Sequence, residues 1–63
     1  MFKSGDKAKI TKPTFLHQGI FIFTGAVVEV KEVLSSAVVV VYNDKEGYPH
    51  DLQMLPTDLA PLT

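Results

Sequence analysis

Two histidines and three carboxylates are the side chains whose types could bind a metal or move a proton: His17 and His50, with Asp44, Glu46 and Asp51. A zinc site would need three or four of them to converge. His50 and Asp51 are adjacent, so in a strand they point to opposite faces. His17 falls in a different loop. There is no cysteine, no Ser–His–acid grouping and no glycine-rich phosphate cradle. A chain this short also leaves little room for a concave pocket of the few hundred Å³ that substrates need. These residues predict no enzyme, no metal and no cofactor.

The aromatic side chains and the lysines say more. Phe15, Phe21, Phe23, Tyr42 and Tyr48 lie in or beside turns, where they could meet a partner. One of Phe21 and Phe23 is expected to close an end of the core instead. Lys7, Lys9 and Lys12 could contact phosphates while Phe15 or Tyr48 stacks on a base. The competing reading makes these lysines the decoration that keeps an edge strand from aggregating. All six basic residues are lysine, so no planar fork is present for bidentate phosphate or guanine recognition. Charge is uneven along the chain. The first twelve residues hold four lysines and one aspartate, +3, whereas from Glu29 onward two lysines stand against six acids, −4.

The stretch 25–43 is the element around which these residues must be positioned. Two runs rich in β-branched residues flank Ser35-Ser36, the pattern of an antiparallel hairpin. A two-residue turn places Leu34 opposite Ala37, Val30 opposite Val41 and Glu29 opposite Tyr42. One face then carries Ala26, Val28, Val30, Glu32, Leu34, Ala37, Val39 and Val41. It is read as the core face, because the alternative would bury Glu29 and Lys31. The other face carries Val27, Val33, Val38, Val40 and Tyr42, an apolar patch of the kind that marks an interface.

Before this hairpin, Gly5-Asp6 marks a turn and 7–11 alternates as a strand with Ala8 and Ile10 inward. Pro13 and Gly19 make 12–19 a long loop, with 20–23 as its returning arm. After the hairpin, 43–49 is a polar turn cluster. Residues 50–55 form a fourth strand with Leu52 and Met54 on one side. Thr57 caps a single helical turn, and 60–62 adds a final edge strand, where Pro61 is tolerated.

Four or five short strands, a long early loop and a helical turn before the last strand predict an all-β fold, a single SH3-like barrel over 1–63. Gly5-Asp6-Lys7-Ala8-Lys9-Ile10, the Gly-x-Val-Val-x-Val run at 25–30, the strand 37–42 and the tail 58–62 resemble bacterial KOW-type barrels. The small barrel proteins of photosystem I and the β-barrel chain of ferredoxin–thioredoxin reductase are similar in outline. Two departures stand out: thirteen residues intervene between the first strand and the glycine at 25, and arginine is absent. The resemblance implies the architecture, while such barrels serve ribosome binding, transcription and redox docking alike.

Sixty-three residues make one small domain, which buries only about 60% of the surface its unfolded chain exposes. Without disulfides, such a domain gains from a dense core or from self-association. The composition, 46% hydrophobic and 21% charged, is that of a folded protein. No apolar run approaches the roughly 18 residues of a membrane span, and the N-terminus lacks a signal-peptide core, so a cytoplasmic chain with no membrane partner is expected. The functional expectation is a non-catalytic protein-interaction module, a small subunit or adaptor. Its partner would be another protein or a second copy in a homodimer, met through Phe15, Phe21, Phe23, Val38, Val40, Tyr42 and Tyr48. The alternative is an RNA- or ribosome-associated barrel using Lys7, Lys9 and Lys12.

Overall fold

A computed structural model describes residues 2–62. The chain is all-β: β1 (Lys7–Ile10), β2 (Phe15–His17), β3 (Ile20–Ile22), β4 (Val27–Val33), β5 (Val38–Asn43), β6 (Pro49–Met54) and β7 (Leu59–Pro61). A 3₁₀ turn at Pro56–Asp58 precedes β7. Five strands form an antiparallel sheet in the order β6-β5-β4-β1-β7, and β2 with β3 makes a separate hairpin. A three-strand meander, with the first strand joining its far side and the last strand added outside the first, is the SH3-like arrangement expected. Among the described residues no helix is long and apolar enough to cross a membrane.

Alternation builds the core from the centre of each strand. Ala8 and Ile10 of β1, Val28 and Val30 of β4, Leu52 and Met54 of β6 and Leu59 of β7 are all buried. The β2–β3 hairpin contributes Ile22, which is 1% exposed. The returning arm is therefore a strand in its own right, and residues 15–17 form its partner rather than loop.

The face assigned to β5 is corrected. Val38 and Val40 were expected on the outer face, yet both are core residues, Val40 with no exposed surface at all. Val39 and Val41, expected inside, are half-buried on the other face, and Leu34 is exposed. The cause is a bulge in β4. Near the turn the expected register holds, with Val33 opposite Val38 and Glu32 opposite Val39. Beyond Lys31 the register shifts by one, so Val30 faces Val40 and Glu29 faces Val41. One extra residue reverses the side of everything past it.

The entry turn fastens this irregularity. Lys31 lies between the two paired segments of β4, and its carbonyl accepts a hydrogen bond from Ser4 Oγ at 3.0 Å. The Gly5 N–H donates to Val30 O at 2.7 Å, and the Val30 N–H donates to Asp6 O at 2.7 Å. Gly5 has φ of +94°, a conformation that costs glycine little.

Two smaller expectations also change. The helical turn begins one residue earlier than predicted, after Leu55, and no side chain caps it, Thr57 included. β1 lies between β4 and β7, so its lysines do not guard an edge.

Candidate interaction site

The β2–β3 hairpin alternates as a strand pair must. Phe15 pairs with Ile22 and His17 with Ile20 on the inner face, while Leu16 pairs with Phe21 on the outer face. Gly19 (φ +81°) and Gln18 (φ +50°) both take left-handed conformations at the tip, as a two-residue hairpin turn requires. The outer pair is solvent-facing, with Leu16 and Phe21 each 61% exposed, and Phe23 just beyond is 59% exposed. Neither phenylalanine closes the core. Ile22 between them does that.

Phe21 and Phe23 form one wall of an open cleft of about 460 Å³. Tyr42, near the end of β5, also lines it and packs partly against the core. The β5–β6 turn lines it too, through Asp44, Lys45 and Glu46. A second open cleft of about 460 Å³ is bounded by Lys12, Ala37, Met54, Leu55 and Asp58. Concave surface is thus more abundant than the length alone predicts.

Asp44 shapes the acidic wall. Its Oδ1 accepts the Glu46 N–H at 2.9 Å and the Tyr48 N–H at 3.0 Å. Its Oδ2 lies 2.8 Å from His50 Nε2, and a carboxylate can only accept, so that nitrogen carries the proton. The His50 hydrogen bond, then that from the Tyr48 N–H, holds the Asp44 carboxyl below its ordinary value of 3.8. Because the folded state favours the carboxylate, its stabilising effect is complete above pH 3.8 and fades as pH falls through the depressed value. In an acid titration followed by amide NMR, the Glu46 and Tyr48 resonances are expected to hold until below pH 3.8 and then move together.

The other predicted residues are dispersed. Phe15 is half-buried, and its ring carries the Lys12 ammonium at 4.5 Å from the centroid. Tyr48 is exposed on the β5–β6 turn. Val38 and Val40 are unreachable, whereas Val27 and Val33, placed beside them in the expected patch, are indeed exposed. Lys7 forms an exposed ion pair with Glu29 at 3.4 Å. Lys31 does so with Asp51 at 2.9 Å, and that hydrogen bond raises the Lys31 ammonium above its ordinary value. Lys9 is exposed. Among the described residues no three His, Cys, Asp or Glu side chains come together as a metal site would require.

Sequence reasoning missed the Asp44–His50 pair. Its signal was present in the turn chemistry, since Asp44 followed by Gly47 is a common pattern for a side chain that accepts from its own turn. The β5–β6 register then pairs Tyr42 with His50, which brings the ring beside Asp44. No protein-family model, curated protein or solved structure matches the chain.

Proposed function

We propose that the chain is a non-catalytic protein-interaction module that meets its partner through the outer face of the β2–β3 hairpin and the cleft beside it. The observation that carries this reading is the exposure of Leu16 and Phe21 on the outer face of the hairpin and of Phe23 just beyond it. Large apolar side chains grouped on a small surface mark sites of association, and aromatic anchors supply most of the energy at such sites. Tyr42 lines the same cleft as the two phenylalanines.

The RNA-binding reading has less support. Lys7 is paired with Glu29 and Lys12 sits over Phe15, so two of the three lysines already have intramolecular partners. The resemblance to KOW-type barrels keeps that reading as an outcome of the test below.

Replacing Phe21 and Phe23 together with serine tests the proposal. Both side chains are exposed, so the fold should survive, with surface changes of this kind usually within about 0.5 kcal/mol. Sedimentation of the purified chain across a wide concentration range reports a homodimer, and affinity capture reports a different protein. The double variant is expected to lose whichever association the parent shows. Association that persists unchanged in the variant overturns the assignment of this surface. Binding to mixed oligonucleotides that weakens steeply with salt would favour the RNA reading.

A further inference from the structure

The cleft beside the hairpin has a chemistry that specifies more than an apolar contact. Two solvent-exposed rings, Phe21 and Phe23, line it together with Tyr42 and with Asp44 and Glu46 of the β5–β6 turn. We propose that this cleft receives a cationic side chain, lysine or arginine, from a segment of the partner protein. The inference rests on the interaction-module reading and names the partner's chemistry at that site.

The hairpin itself shows what its aromatic faces accept. At Phe15 the chain supplies its own cation, the Lys12 ammonium 4.5 Å above the ring. At Phe21 and Phe23 no lysine of the described residues takes that position, and the turn that lines the same cleft offers carboxylates. An aromatic face attracts a cation through its quadrupole, most strongly where water is partly excluded. A carboxylate in the same cleft completes the pair of attractions, one for the aliphatic stem and ring contact, one for the charged head.

Charge complementarity selects this occupant over a purely apolar one. Asp44, although hydrogen-bonded, remains a carboxylate: its partners are two backbone N–H groups and the His50 ring. Glu46 contributes only its backbone N–H to the turn, leaving its exposed carboxylate available. Lys45 stands in the same wall and opposes an incoming cation. The turn nevertheless carries two negative charges against one positive.

Two short peptides that differ at one position, lysine in one and norleucine in the other, provide the test. They share the apolar stem and differ in charge. Followed by amide NMR at low salt, the lysine peptide is expected to bind roughly tenfold more tightly. The shifts should centre on Phe21, Phe23 and Tyr42. Glu46→Gln should narrow the difference, and Lys45→Gln should widen it, since both side chains are exposed and neither holds the fold. Equal binding of the two peptides overturns the cationic inference while leaving the interaction-module reading intact. Failure of both peptides to bind also overturns it, and sedimentation and capture with the serine variants then judge the module reading separately.

Discussion

A Val40→Lys chain is expected to show the circular dichroism of an unfolded polypeptide, with no thermal transition. Val40 has no exposed surface and lies in the middle of β5, between β4 and β6. An ammonium placed there has no buried carboxylate to pair with, since among the described residues no buried side chain is polar or charged. It must lose its proton or force the sheet open, and either course costs several kcal/mol. A domain of this size holds stability near the lower end of the usual 5–15 kcal/mol. Two companions make the result specific. Val40→Ala removes two methyl groups at about 0.8 kcal/mol each and leaves a small cavity, so it should melt roughly 8–16 °C lower and remain folded. Val39→Lys places the same charge one position away on the outer face, opposite Gln53 and Glu32, and should fold. If Val39→Lys unfolds and Val40→Lys does not, the phase of β5 is the reverse of the one described.

Ile22→Ala is expected to disable the interaction surface without touching any residue on it. Ile22 is the fully buried residue of the hairpin, with Phe15 and Ile20 packed against the core beside it, whereas its neighbours Phe21 and Phe23 face solvent. Truncating a buried isoleucine costs about 2–5 kcal/mol. The loss falls on an element outside the main sheet, because among the described strands β2 and β3 pair only with each other. Native-state amide exchange should therefore accelerate first across 15–22, ahead of the amides shared by β4 and β5. Association through the hairpin should weaken in parallel. Uniform acceleration across both sheets would show that the hairpin and the main sheet open as one unit.

Much of this fold was legible from local patterns, and the limit of that legibility is a single residue. The alternation at Ala8 and Ile10, at Val28 and Val30 and at Leu52 and Met54 gave the correct inward faces, since each strand segment keeps its own period of two. Val38 to Val41 is four valines in a row, so that strand contains no period of its own. Its phase could come only from its partner, and Lys31 breaks the phase of the partner. The bulge is held by Ser4, Gly5 and Asp6 from far away in the sequence, a tertiary cause that no window around residue 31 contains. At the candidate site the aromatic residues were recognisable by type, but the turn that lines the cleft with them was not. That turn depends on the Tyr42–His50 pairing and on Asp44 gathering its own turn.

The place of β7 bears on how the chain is made. Its partner is β1, through Ile10 opposite Leu59, Lys9 opposite Ala60 and Ala8 opposite Pro61. Of the seven strands described, β1 is synthesised first and β7 last, yet the two are neighbours. At translation rates of roughly 5–20 residues per second, one side of β1 waits several seconds for the strand that covers it. During that interval the backbone groups of Lys7 to Ile10 face water or whatever else can hydrogen-bond to them. Lys7 and Lys9, which decorate an interior strand in the finished protein, flank an open edge in the nascent one. Like charges on an open edge oppose pairing with a second such edge, so Lys7→Ser with Lys9→Ser is expected to raise aggregation during refolding more than in the folded state.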